Sequence, residues 1–100
     1  KTATDSALVS LKASAEALLP QLATAEVVGH WAGLRPGSPD GIPFIGPVPG
    51  HAGLWLNCGH YRSGLVLAPA SCQLLVDLML AREPIVDPAP YAPSARLGAV

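Results

Sequence analysis

Two arginines stand nearly alone as fixed charges in the middle of this sequence. Arg35 and Arg62 are the only Lys or Arg residues between positions 27 and 76, and Asp40 is the only carboxylate there. A guanidinium is a planar fork of N–H donors that matches a carboxylate through two parallel hydrogen bonds. In an apolar setting such a charge needs an anionic partner. Either Arg35 pairs with Asp40 and Arg62 meets solvent, or both serve a ligand carboxylate.

Arg62 lies in Gly59-His60-Tyr61-Arg62-Ser63-Gly64, a glycine-bracketed turn between a strand candidate and an apolar helix. A helix N-terminus offers unpaired N–H groups and partial positive charge, a seat for an anion or for a ligand atom that becomes anionic. The Gly59/Gly64 spacing is that of a phosphate loop. Leu65-Val66 occupy the places of the required Lys and Ser/Thr, which excludes a nucleoside-triphosphate site.

The other reactive types carry less. His30, His51 and His60 lack the spacing and acidic companions of a metal site. His60 can contact a ligand from the turn, whereas His30 and His51 read as structural or exposed. Ser63 has no His/Asp partners at useful spacing, so no nucleophilic triad is expected. Trp31, Trp55 and Tyr61 read as packing groups. Cys58 and Cys72 are too few for a disulfide framework or a zinc centre and read as reduced interior thiols. No catalytic side chain and no metal site are therefore expected.

These side chains must be held by short elements. Leu8, Leu11, Ala15, Leu18 and Leu22 recur at helical spacing, Thr4 or Asp5 can cap the start, and Pro20 stops the run, which predicts a helix over about 5–19. Val27, Val28 and Trp31 predict a strand within Ala25 to Leu34, with Gly29 and Gly33 marking a bulge or close approach. Nine of the ten glycines and five of the eleven prolines fall between residues 29 and 64. Trp31, Phe44, Ile45, Trp55 and Leu56 interrupt that stretch, so it reads as folded loops between short strands. Asp40-Gly41 marks a tight turn; Phe44-Ile45 and Leu54 to Asn57 are strand candidates. Leu67, Ser71, Leu74, Leu75 and Leu78 share one face of a second helix over about 66–81, with Pro69 expected in its first turn. Prolines at 84, 88, 90 and 93 predict an extended, surface-draped tail over 83–100. The fold class is α+β: two main helices with short strands between.

Composition bounds the rest. Half of the 100 residues are hydrophobic, only 13% are charged, and the net charge is −1. That argues against disorder and against a nucleic-acid surface, which needs a basic excess. No apolar run is long enough to span a membrane. The start lacks a basic flank followed by an apolar core, so no signal peptide and a cytoplasmic location are expected. The apolar surplus fits a piece of a larger protein whose faces meet missing partners, and it predicts a homo-oligomer.

Two long motifs then resemble one known family. Trp31-Ala32-Gly33-Leu34-Arg35-Pro36-Gly37-Ser38-Pro39-Asp40-Gly41-Ile42-Pro43-Phe44-Ile45-Gly46-Pro47 is similar to the C-terminal third of flavin-dependent amino-acid oxidases. Gly59-His60-Tyr61-Arg62-Ser63-Gly64-Leu65-Val66-Leu67-Ala68-Pro69-Ala70 resembles their closing flavin segment. The resemblance covers about residues 5–88, and an arginine at position 62 favours the glycine oxidase group of thiamine biosynthesis. It implies a C-terminal fragment of a two-domain FAD-dependent oxidoreductase that oxidises a small amino acid to its imine and passes electrons to oxygen. It implies that Arg35 and Arg62 hold the substrate carboxylate. It also implies that His60, Tyr61, Arg62, Ser63, Gly64, Leu65 and Val66 line FAD. Residues 5–34 would belong to the substrate domain and 35–82 to the flavin domain. The Gly-x-Gly-x-x-Gly fingerprint for the ADP half of FAD is absent. The segment alone is thus expected neither to retain FAD nor to turn over glycine without an N-terminal flavin-binding portion. A D-amino-acid dehydrogenase fragment and a non-catalytic carboxylate-binding or assembly module are the alternatives.

Overall fold

The computed structural model describes residues 1–97. The chain divides into two compact units, with the break between Leu34 and Arg35.

In the first unit, helix α1 spans Asp5–Leu18. Thr4 is extended and its side chain accepts the Ala7 N–H at 3.3 Å, the capping contact that residue type provides. The helix ends because Pro20 forces the preceding residue out of helical geometry, and Leu19 is extended at φ −134°. A 3-10 turn follows over Pro20–Thr24. The strand expected within residues 25–34 does not form. A strand satisfies its backbone through a neighbour, and the first unit supplies none among the described residues. Trp31, expected to pack, is 82% exposed.

The second unit is built on a two-stranded antiparallel hairpin. Strand β1, Phe44–Pro47, pairs with strand β2, Trp55–Cys58, in the register Phe44↔Cys58 to Pro47↔Trp55. The connecting loop closes with Val48 N–H donating to the Leu54 carbonyl at 2.9 Å. Pro47 sits at the end of β1, where a missing donor is tolerated. Helix α2, Gly64–Met79, packs on the hairpin. Phe44, Ile45 and Leu74 form the buried apolar core.

Pro69 is the sixth residue of α2, past the first turn where it was expected, because the helix begins at Gly64 rather than near 66. Its ring leaves the Leu65 carbonyl without a helical donor. Leu65 is 92% exposed, so this is not a buried unpaired group. At the other end, Arg82 N–H donates to the Asp77 carbonyl and Ala81 N–H to the Leu78 carbonyl, the paired bonds of a Schellman cap. Ala81 occupies the left-handed position of that cap at φ 52°.

The tail is not uniformly extended. It forms a 3-10 turn at Ala89–Tyr91 and a one-turn helix α3, Pro93–Arg96, docked on β1. Proline sits in the first positions of both, where its fixed φ favours helical entry. Pro93 is fully buried. A Cβ on Gly46 would lie a tight 3.2 Å from its ring, and Gly46 has φ 144°, so glycine eases this approach of the tail. Positions 98–100 of the expected tail lie outside the described residues. Cys58 and Cys72 are free thiols as expected, but both are exposed rather than interior. No helix among the described residues is long and apolar enough to cross a membrane.

Candidate functional site

The turn from Gly59 to Gly64 joins β2 to α2, and its geometry is set from the loop at residues 36–44. Gly59 has φ 82° and is buried; a Cβ there would come within 3.3 Å of the Ser38 Cβ. Only glycine meets both demands, the left-handed backbone and the close approach. Two residues later, the Tyr61 N–H donates to the Pro36 carbonyl at 3.0 Å. That single bond fixes the residues next to Arg35 and Arg62 to each other. The structure thus brings together the backbones that carry the two arginines.

Tyr61 has φ 52°, a region that a bulky residue enters only at a cost of order 1–3 kcal/mol. Nothing in the sequence marks this strain, since a glycine or asparagine would be its usual sign. The Arg62 guanidinium lies 5.4 Å from the Tyr61 ring centroid, within cation–π range. Neither Arg35 nor Arg62 has a carboxylate partner among the described residues.

The pairing of Arg35 with Asp40 that the sequence left open does not occur. Asp40 is taken by Arg96, a residue the sequence reading passed over. The Arg96 Nε donates to Asp40 Oδ2 at 3.1 Å and its Nη2 to Oδ1. Nη1 and Nη2 also donate to the Pro43 and Ile42 carbonyls at 2.8 and 2.6 Å. The guanidinium stacks over Phe44, 4.1 Å from the ring centroid. Desolvation pushes the Asp40 pKa up, but the Arg96 hydrogen bond, the Ile42 amide and Arg96's charge outweigh it and hold the carboxyl below 3.8.

His60 is half-buried, and its Nε2 lies 2.9 Å from the Oγ of buried Ser71, tying the turn to the body of α2. His51 donates through Nδ1 to the Pro49 carbonyl at 3.0 Å, and His30 is half-buried in the first unit. Ser63 precedes α2 without making a side-chain cap. The first helical bond of α2 runs from Leu67 N–H to the Ser63 carbonyl. The amides of Gly64, Leu65 and Val66 therefore have no partner among the described residues. Leu65 and Val66 are themselves 92% and 82% exposed. A cleft of about 320 Å³ lies among β1, α2 and the tail, lined chiefly by Ile42, Ile45, Leu67, Leu74, Val86 and Tyr91. No cluster of metal ligands occurs among the described residues.

A glycine oxidase of Pseudomonas putida is 76% identical over 98 residues, 98% of this chain and 27% of that protein. The D-amino acid dehydrogenase 2 of Ralstonia nicotianae is 52% identical over 62 residues, 62% of this chain and 14% of that protein. Among solved structures, glycine oxidase from Geobacillus kaustophilus superposes with a TM-score of 0.75 at 35% identity, covering 95% of this chain and 26% of that one. The helices and hairpin are therefore part of a larger mixed α+β fold, and the chain spans about a quarter of the length of these glycine oxidases. The model of the FAD dependent oxidoreductase family matches residues 1–78, and the chain belongs to that family.

Proposed function

We propose that this chain is the C-terminal part of a cytoplasmic, homo-oligomeric flavoenzyme that oxidises glycine or a similar small amino acid to its imine, for use in thiamine thiazole synthesis. The observation that carries the reading is the hydrogen bond between Tyr61 N–H and the Pro36 carbonyl, which sets Arg35 and Arg62 on adjoining backbone. Two guanidinium forks on one carboxylate fix the position of the α carbon, and positioning accounts for much of the rate in such reactions. The second unit carries Arg35 and Arg62 together, and in this reading it forms the flavin-domain portion, with the first unit in the substrate domain.

The chemistry of the turn fits the cofactor of the family. Three amides at one exposed helix end, Gly64, Leu65 and Val66, suit the electron-rich pyrimidine edge of a flavin. We assign His60, Tyr61, Arg62 and Ser63 to the same lining. FAD held there would supply the hydride acceptor, with molecular oxygen as the oxidant that regenerates it and leaves as hydrogen peroxide. Fixed backbone dipoles stabilise developing negative charge without reorganising. No protein base is needed when the amine arrives neutral.

The test uses the full-length protein with glycine and a peroxide readout. Arg35→Ala and Arg62→Ala should each lose roughly 2–5 kcal/mol of carboxylate binding, the cost of leaving a desolvated charge unpaired. Unchanged glycine kinetics in both variants would refute the clamp. The likeness to a D-amino acid dehydrogenase supports a second reading, in which electrons pass to a carrier. Substrate turnover without peroxide would favour it.

A further inference from the structure

Arg35 and Asp40 are opposite charges five positions apart in a loop that holds no other fixed charge, yet they do not form a salt bridge. Asp40 is paired instead from 56 residues away, by Arg96 of the one-turn helix α3. Arg96 spends every guanidinium nitrogen on the loop: Nε and Nη2 on Asp40, Nη1 on the Pro43 carbonyl, and Nη2 also on the Ile42 carbonyl. Its side chain is 13% exposed against 48% for Asp40, so Arg96 is the more enclosed member of the pair.

We propose that Arg96 is a positioning residue that sequesters Asp40 and so keeps Arg35 free for a ligand carboxylate. The proposal rests on Arg35 binding substrate, as argued above. A carboxylate in the same loop competes with a ligand for the same fork, because guanidinium pairs with either through the same geometry. Asp40 is local and permanent, whereas a small amino acid must be captured from solution. A third charge that claims Asp40 removes that competitor. The docking is built for this: Pro93 is buried against Gly46 and Arg96 stacks on Phe44, which holds the guanidinium over the loop.

The test is made in the full-length enzyme with four variants: Arg96→Gln, Arg96→Lys, Asp40→Asn and the double variant Arg96→Gln/Asp40→Asn. Steady-state kinetics with glycine are read beside equilibrium binding of acetate by calorimetry. Release of an exposed ion pair onto Arg35 should raise the glycine KM and the acetate Kd by about two- to fivefold in Arg96→Gln, with kcat nearly unchanged. Arg96→Lys keeps the neutralising charge and should bind nearly as the parent does. The decisive variant is the double one. Removing the Asp40 charge should restore both constants, which loss of tail packing alone would not do. An Arg96→Gln enzyme with parental KM and Kd would overturn the proposal, as would a defect that Asp40→Asn fails to relieve. Arg35→Ala run in parallel separates the two levels. Should it leave acetate binding intact, the carboxylate clamp falls and the sequestering role with it. Should it weaken binding while Arg96→Gln does not, only the sequestering role falls.

Discussion

Ala81→Gly should stabilise this protein, although an alanine-to-glycine change normally does the opposite. Ala81 sits at φ 52° just past the end of α2, in a cap closed by the Arg82 and Ala81 amides. A left-handed L-residue costs about 1–2 kcal/mol through the clash of its Cβ with the carbonyl oxygen. Glycine removes that clash but widens the unfolded ensemble, at a cost of roughly 0.4–1 kcal/mol. The net gain is about 0.5–1 kcal/mol, which for a domain of this size raises Tm by roughly 2–8 °C. Ala81 is exposed, so no packing is lost with its methyl. Ala68, exposed inside the same helix, is the control: Ala68→Gly should cost about 1 kcal/mol and lower Tm. Thermal unfolding followed by far-UV circular dichroism reads both. The reasoning fails if Ala81→Gly melts below the parent, or if the two variants shift in the same direction.

Two further outcomes follow from the charge and motif arrangement. The Asp40 carboxyl is held below 3.8, so its pairing with Arg96 contributes stability above that pH and loses it as pH falls through the lowered value. The urea-unfolding difference between the parent and Asp40→Asn should therefore be present at neutral pH and vanish in strong acid; a difference that grows on acidification would contradict the pairing. The 100-residue chain purified alone should be colourless, because the Gly-x-Gly-x-x-Gly grip on the ADP half of FAD is not in it. A flavin absorbance spectrum that survives gel filtration would show that the turn and α2 suffice.

What the sequence made legible was local. The cap at Thr4, the stop at Pro20, the Asp40-Gly41 turn and the apolar face of α2 are all decided by residues within a few positions of each other; the leucine stripe of α1 buries nothing. The hairpin was readable for the same reason, since Phe44-Ile45 and the stretch before Cys58 are short apolar runs between turn residues. The Ala25 to Leu34 segment failed because strand propensity is not a strand; the partner that would complete its ladder is not in the described first unit. The tail failed because four prolines look alike whether they drape a surface or enter short helices, and burial of Pro93 depends on Gly46 half a chain away. Arg96 was invisible for the same reason: nothing near it announces Asp40. The site itself was half legible. The residues 35 and 62 drew attention by chemistry alone, but the strained Tyr61 backbone, whose amide bonds the Pro36 carbonyl, left no trace in residue type.

The link between Tyr61 and Pro36 joins main-chain atoms only. Every amino acid has the carbonyl that position 36 supplies, and every one except proline has the donor that position 61 supplies. The spacing of the two main-chain segments that carry Arg35 and Arg62 is thus inherited from chain geometry and is insulated from drift in the side chains that flank them. A lineage could exchange the tyrosine and recolour the loop while the two main-chain segments kept their spacing.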